Sequence, residues 1–182
     1  MEVIEAIKSY ENVVAFGRVS NSLEIIRKDI IKINKVVYID KLIKEYEHIL
    51  ILASGDPCFY GIVQYLNRQN IVIEKIMPGL SSFQYMMAKL GKSWQGANLL
   101  SLHGREENLD TIKEHKFSII LTDKDNSPSS ISKRLYKMGI EGIIYAGFNL
   151  SYEEERIIKV NIGEALEDIS PLSVVVVENA MD

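Results

Sequence analysis

Residues 49–57, Ile-Leu-Ile-Leu-Ala-Ser-Gly-Asp-Pro, decide the fold of the first half of the chain. The apolar run 48–53 predicts a strand buried on both faces, which is typical of a parallel sheet. Gly55 allows the chain to turn, and the following Asp-Pro pair predicts a helix that runs to about Arg68. A strand that turns into a helix is the building unit of an α/β fold.

The same alternation of buried strands and capped helices extends over the rest of the chain. Helices are predicted over residues 3–10, from Ser81 to Gly91 through a Ser-x-x-Gln capping box, and from Ser127 to Gly139. Further strands are predicted at residues 13–16, 36–39, 71–73, 99–102, 117–122, 142–146, 156–160 and 172–177. We therefore predict an α/β protein with a parallel-sheet domain over residues 1–98 and a smaller mixed α/β domain over residues 99–182.

The composition excludes several classes of protein. The chain has 182 residues, is 47% hydrophobic and 25% charged, and has a net charge of -4. This is enough apolar sequence for a globular core, and the acidic balance speaks against nucleic acid as a partner. Its one cysteine, Cys58, cannot form an internal disulfide. The sequence has no apolar run of bilayer length and no signal peptide pattern, so a cytoplasmic location and no membrane association are expected.

Three turns carry the polar residues that could form a binding site. The turn at residues 54–57 follows a strand, at the sheet edge where ligands of α/β proteins bind, although Asp56 could simply cap the helix. Residues 77–83, Met-Pro-Gly-Leu-Ser-Ser-Phe, repeat the pattern of tight turn and capped helix. Residues 100–105, Leu-Ser-Leu-His-Gly-Arg, offer an imidazole and a guanidinium that suit a carboxylate, or they are a solvated interdomain linker.

Other kinds of site have little support in the sequence. A phosphate-binding Gly-x-x-x-x-Gly-Lys loop and a Gly-x-Gly-x-x-Gly dinucleotide fingerprint are both missing. The three histidines and one cysteine do not have metal-ligand spacing, so no metal is expected. Catalytic residues are not assigned from the sequence.

Taken in order, the three turns resemble those of the tetrapyrrole methylases: Ser-Gly-Asp-Pro-x-Phe-Tyr, then Pro-Gly-Leu-Ser-Ser, then Ser-Leu-His-Gly-Arg. The last of these, with Leu-Thr-Asp at residues 121–123 and Asn-Leu-Ser-Tyr at residues 149–152, is similar to the cobalt-precorrin-7 (carbon-5) methyltransferase branch of cobalamin biosynthesis. The resemblance covers nearly the whole chain.

The resemblance implies a two-domain homodimer that binds S-adenosylmethionine between its domains and methylates carbon 5 of an anionic tetrapyrrole, cobalt-precorrin-7 or precorrin-6y. A carbon-15 methyltransferase and decarboxylase would be a separate partner subunit or a fused domain. The cofactor would be bound by Ser54, Gly55, Asp56, Phe59, Ser81, Ser82 and Thr122. From their chemistry, His103 and Arg105 are expected to face the tetrapyrrole.

The start of the chain departs from the family pattern. Family members begin with a strand and a Gly-rich loop that helps to form the cleft, whereas residues 5–7 and 13–17 resemble the segment after that loop. We therefore expect the first domain to lack its leading strand, which would leave unpaired backbone on the neighbouring strands.

Two alternative functions remain open. The chain could be a methyltransferase of the same superfamily with a different substrate, or a shortened, non-catalytic partner subunit. Binding of S-adenosylmethionine would separate the non-catalytic partner subunit, which would not bind it, from either methyltransferase.

Overall fold

The computed structural model describes residues 2–180, except for the side chain of Arg18. The chain divides into two compact units, residues 1–81 and 82–182. The predicted boundary at residue 98 lies inside the second unit, because the helix Ser82–Leu90 packs against a strand of the second sheet. The second unit is the longer of the two.

The first unit is a small parallel sheet with helices. Its elements are α1 (Glu2–Ser9), β1 (Val13–Phe16), α2 (Gly17–Leu23), β2 (Ile31–Ile33), α3 (Ile39–Glu45), β3 (Leu50–Leu52) and α4 (Ile62–Arg68). Strands β1 and β3 are buried apolar runs, as predicted, and β1 is central in the order β2-β1-β3. The carboxyl ends of the three parallel strands therefore lie at one edge of this sheet.

Two predicted strands of the first unit are wrong. Residues 36–38 form a 3-10 turn that leads into α3, because Val37 and Tyr38 are exposed and only Ile39 of this run enters the core. Residues 71–73 have no strand partner among the described residues, and the chain from there to residue 80 is irregular. Strand β2 and helices α2 and α3 were not predicted.

The second unit is built on a five-stranded mixed sheet. Its elements are α5 (Ser82–Leu90), β4 (Asn98–Ser101), β5 (Phe117–Leu121), α6 (Pro128–Lys137), β6 (Gly142–Phe148), β7 (Arg156–Asn161) and β8 (Ser173–Asn179). The strand order is β4-β5-β8-β6-β7; β4 and β5 are parallel, and β8 is antiparallel to both of its neighbours, β5 and β6. All five strands predicted for this half are confirmed.

Helix α6 covers one face of the second sheet. It starts as predicted, with Ser127 accepting a hydrogen bond from the backbone N–H of Ser130 and Pro128 at the first helical turn. Its apolar side, Ile131 and Leu135, is fully buried in a cluster with residues of the central strands. This cluster is the main core of the second unit.

Among residues 2–180, we find no helix with the length and apolar character needed to cross a membrane.

We expect Leu135→Ala to lower the free energy of unfolding by about 2–5 kcal/mol, because Leu135 is fully buried in the core and the substitution leaves a cavity. Lys137→Ala, on the exposed side of the same helix, should change it by less than about 0.5 kcal/mol. Urea denaturation of both variants measures the difference. Equal midpoints would contradict the position of α6.

Candidate functional site

The Ser-Gly-Asp-Pro segment forms a compact turn at the carboxyl end of β3. Asp56 accepts a hydrogen bond from the backbone N–H of Cys58 through Oδ1 (2.8 Å), and Phe59 N–H bonds the Asp56 carbonyl (3.2 Å). The carboxylate thus caps this turn and not a helix, because the helix starts only at Ile62. The predicted helix start at Pro57 is therefore wrong, while its predicted end at Arg68 is confirmed.

The second predicted turn lies directly against the first. A Cβ on Gly79 would come within 2.2 Å of the Gly55 carbonyl oxygen, so the two backbones touch at a place that only glycine can occupy. Gly55 has a φ of +73°, and a Cβ there would lie 3.5 Å from the Cα of Ser81. The structure therefore brings together the predicted residues of the first unit.

The two contacting turns, which we call the paired turn, carry side chains that differ in their access to a ligand. Ser54 is exposed, Asp56 and Phe59 are half-buried, and Ser81 is buried. The ring of Phe59 makes an edge contact with Tyr60 at 4.9 Å between centroids. The pair of turns thus presents a hydroxyl, a carboxylate, an aromatic ring and bare glycine backbone at the carboxyl edge of the parallel sheet.

The remaining predicted residues lie in the second unit. Ser82 is exposed at the first position of α5, which ends before Gly91 as predicted. Residues 102–105 follow β4, and residues 122–126 follow β5, the parallel neighbour of β4. Two loops that leave adjacent parallel strands at the same edge lie side by side.

Hydrogen bonds join these two loops. The Nδ1 of His103 lies 2.9 Å from the carbonyl oxygen of Thr122. Because a carbonyl only accepts, Nδ1 carries the hydrogen, and Nε2 of a neutral His103 is left as an acceptor. His103 and Arg105 are both exposed, which suits contact with a ligand. The Thr122 hydroxyl is buried and donates to the Ser173 carbonyl oxygen at 2.6 Å, so its proton is used within the sheet.

Asp123 is the residue that holds the pair of loops together. Its carboxylate accepts the backbone N–H of Gly104 through Oδ2 (2.8 Å) and those of Asp125 and Asn126 through Oδ1 (2.9 and 2.7 Å). These hydrogen bonds, first those from Gly104 and Asn126, lower the pKa of Asp123 from 3.8 to about 2. The loop carrying His103 and Arg105 is therefore fixed to the end of β5 by an ionised carboxylate.

Sequence reasoning assigned no role to Asp123 or Gly79. The signal for Gly79 was its Pro-Gly turn. The signal for Asp123 was weaker: it directly follows a predicted strand, as His103 does, and parallel pairing of the two strands would place both residues at one edge.

We expect Asp123→Asn to make the free energy of unfolding depend less on pH in the acid range. A carboxylate with a lowered pKa stabilises the fold above its unfolded pKa, here taken as 3.8, and loses this contribution as the pH falls through about 2. The contribution is worth up to about 2 kcal/mol at neutral pH. Urea unfolding should show the difference between wild type and variant shrinking from pH 6 to about pH 2.

Asp125→Asn is the matched control, since it removes a carboxylate from an exposed side chain of the same loop. It should leave the acid dependence of wild type unchanged. If the free energy of unfolding of Asp123→Asn depended on pH in the same way as that of wild type, the conclusion that the Asp123 carboxylate joins the two loops would be refuted.

Comparisons with known proteins agree with this architecture. The sequence pattern of the Tetrapyrrole (Corrin/Porphyrin) Methylases matches residues 3–166. The chain is 38% identical over 139 residues to a probable cobalt-precorrin-7 C(5)-methyltransferase of Methanocaldococcus jannaschii, an alignment that covers 71% of this chain and 64% of that protein. The chain thus spans slightly less than two thirds of the length of the curated relatives it matches first.

Solved structures share the fold. A precorrin-6Y methylase from Archaeoglobus fulgidus superposes with a TM-score of 0.73 at 22% identity, over 100% of this chain and 92% of the other. A uroporphyrin-III C-methyl transferase from Thermus thermophilus, solved in complex with S-adenyl homocysteine, superposes with a TM-score of 0.75 at 17% identity. This superposition covers 97% of this chain and 89% of the other. With the match over residues 3–166, these findings show that the chain belongs to the tetrapyrrole (corrin/porphyrin) methylase family.

Proposed function

We propose that the chain transfers a methyl group from S-adenosylmethionine to carbon 5 of cobalt-precorrin-7, or of its metal-free analogue precorrin-6y, in cobalamin biosynthesis. The observation that carries the proposal is the backbone contact between the turns at residues 54–57 and 78–81. The name of the relative at 38% identity supports the substrate.

The residues of the paired turn suit this cofactor. Gly55 and Gly79 present backbone without side chains, so a ligand can approach the main-chain polar groups closely. Asp56 uses Oδ1 for the Cys58 N–H, and its Oδ2 can accept from an ammonium or a hydroxyl of the ligand. We assign the cofactor to Ser54, Gly55, Asp56, Phe59 and Ser81 of the first unit, and to Ser82 and Thr122 of the second.

When bound, S-adenosylmethionine supplies an electrophilic methyl group on a sulfonium. Transfer of that methyl to a ring carbon, with S-adenosylhomocysteine as the leaving group, would need alignment and exclusion of water more than a protein nucleophile. In this proposal the residues of the paired turn fix the position of the methyl donor. The negative charge of Asp56 compensates the positive charge of the donor.

The tetrapyrrole carries many acetate and propionate groups, and we assign their recognition to His103 and Arg105. The guanidinium of Arg105 can bind a carboxylate through two parallel hydrogen bonds. Asp123 positions these two residues, because it holds Gly104, the residue between them.

Two other functions fit the same fold. A methyltransferase of this family with another substrate would bind the cofactor and fail to methylate cobalt-precorrin-7. A non-catalytic partner subunit would fail to bind the cofactor at all. We also propose a cytoplasmic homodimer that works with a carbon-15 methyltransferase and decarboxylase, either a partner subunit or a fused domain; sedimentation equilibrium tests the dimer.

We expect Gly55→Asp to abolish binding of S-adenosylhomocysteine, because it would place a side chain and a second carboxylate at the junction of the turns. Isothermal titration calorimetry measures this. Gly96→Asp is the matched control: Gly96 has nearly the same backbone conformation, φ +74° against +73°, and a Cβ there meets no atom within 4 Å. Unchanged affinity in Gly55→Asp would refute the placement of the site.

We expect Arg105→Ala to raise the KM for cobalt-precorrin-7 roughly tenfold or more, since a charge-assisted hydrogen bond to a carboxylate is lost. Affinity for S-adenosylhomocysteine should not change. Methyl transfer from labelled S-adenosylmethionine gives kcat and KM, with exposed Arg156→Ala as the control. Cofactor binding without methyl transfer in the wild type would favour another substrate.

A further inference from the structure

The backbone on both sides of His103 is fixed to the end of β5 and to the loop that follows it. The N–H of Leu102 donates to the carbonyl oxygen of Leu121 (2.8 Å), and the carbonyl oxygen of Leu102 accepts a hydrogen bond from Nδ2 of Asn126 (3.1 Å). On the other side, the N–H of Gly104 donates to a carboxylate of the same loop (2.8 Å). The imidazole of His103 therefore extends from a backbone that is held on both sides.

The ring of His103 is held in one orientation. Its Nδ1 donates to the carbonyl oxygen of Thr122 (2.9 Å), a residue that is itself buried. This hydrogen bond places the hydrogen of the neutral ring on Nδ1, so Nε2 has a free lone pair. Among residues 2–180, no group forms a hydrogen bond with Nε2, and the side chain is exposed. A neutral His103 thus presents an accepting nitrogen, held in place, to a ligand.

The carboxylate that joins the same two loops is not available as a base. Oδ1 of Asp123 accepts hydrogen bonds from the backbone N–H groups of Asp125 and Asn126 and from Nδ2 of Asn126, and Oδ2 accepts from Gly104. These hydrogen bonds, that from Gly104 first, lower the pKa of Asp123 from 3.8 to about 2. A group of this pKa accepts protons poorly at neutral pH. Of the two side chains, only His103 keeps a basic atom open.

The charge balance of the proposed reaction requires a proton acceptor, and the inference rests on that proposed function. A sulfonium is positively charged and the thioether that it becomes is neutral, so the methylated ring gains one positive charge. The ring returns to its former charge by releasing a proton. Imidazole is the side chain that takes up and releases protons near neutral pH.

We propose that Nε2 of His103 accepts the proton that the tetrapyrrole releases when it is methylated. The ring carbon supplies the electron pair of the new C–C bond, and the pair of the broken C–S bond stays on the sulfur of S-adenosylhomocysteine. The ring then loses a proton to Nε2, and the electron pair of that bond returns to the ring. The imidazolium donates from both nitrogens, so it can hold a carboxylate of the product until its proton passes to water.

The tautomer of His103 is measured on the chain alone, without cofactor or substrate. Long-range ¹H–¹⁵N NMR spectra of protein labelled in its three histidines distinguish a ring nitrogen that carries hydrogen from one that does not. The spectra are recorded at about pH 9, where an ordinary imidazole is neutral. We expect the ring that is missing from the spectrum of His103→Asn to carry its hydrogen on Nδ1. A hydrogen on Nε2 would overturn the proposal.

His103→Asn also tests the proton transfer. Its amide nitrogen can still donate to the Thr122 carbonyl oxygen in place of Nδ1, but no atom replaces Nε2. We expect kcat with cobalt-precorrin-7 to fall roughly hundredfold or more, with unchanged affinity for S-adenosylhomocysteine. His115→Asn is the matched control, because His115 precedes β5 and so lies at the opposite edge of the same sheet. Asp125→Asn removes an exposed carboxylate from the neighbouring loop. Both controls should keep the kcat of wild type.

A base added from solution separates proton transfer from support of the loop. His103 is exposed, so imidazole and its methylated derivatives can reach the space left by His103→Ala. We expect them to raise kcat of this variant roughly tenfold or more, and the rate should increase with the basicity of the added imidazole. A side chain that only supported the loop would give no such dependence.

Two results of these assays would overturn the role of His103 while wild type still methylates cobalt-precorrin-7. One is a kcat of His103→Asn equal to that of wild type, and the other is rescue that does not depend on basicity. Both would leave the proposed function standing. A wild-type chain that binds S-adenosylhomocysteine and does not methylate cobalt-precorrin-7 would instead overturn the proposed substrate, and this inference with it.

Discussion

The architecture of the candidate site depends on one steric constraint, the contact of two backbones at Gly55 and Gly79. The place where a Cβ of Gly79 would lie is 2.2 Å from the Gly55 carbonyl oxygen, so any larger residue would push the two turns apart. The turns follow separate segments of the chain, and this contact brings them together into one surface. Ser54, Asp56 and Ser81 then share that surface, because each is within two residues of the contact.

Burial explains which elements could be predicted from sequence. The strands of the second unit were predicted because they are apolar runs that lie in a core; four consecutive valines of β8, for example, are buried. Residues 36–38 have similar composition, but Val37 is 54% exposed and the run is a turn. Propensity alone could not separate them, since exposure is set by the neighbours in space.

The candidate site shows the same limit. Its residue types and their turns could be read from the sequence, because glycine, proline and serine have local roles. The role of Asp56 could not be predicted from the sequence. Its carboxylate accepts a hydrogen bond from the N–H two residues further on, and the helix begins only at Ile62. Asp123 was missed because its partner Gly104 is 19 residues away in sequence, and only the pairing of β4 with β5 makes them neighbours.

The position of β8 has a consequence for biosynthesis. It follows the other four strands of its sheet in sequence, yet it is central in that sheet and joins the parallel pair β4-β5 to the hairpin β6-β7. Both halves of this sheet are therefore synthesised before the strand that connects them. Until β8 emerges, the apolar edges of β5 and β6 are open to solvent and to other chains. The second sheet is thus completed only after β8 has emerged, and the unfinished sheet before that point is a stage exposed to aggregation.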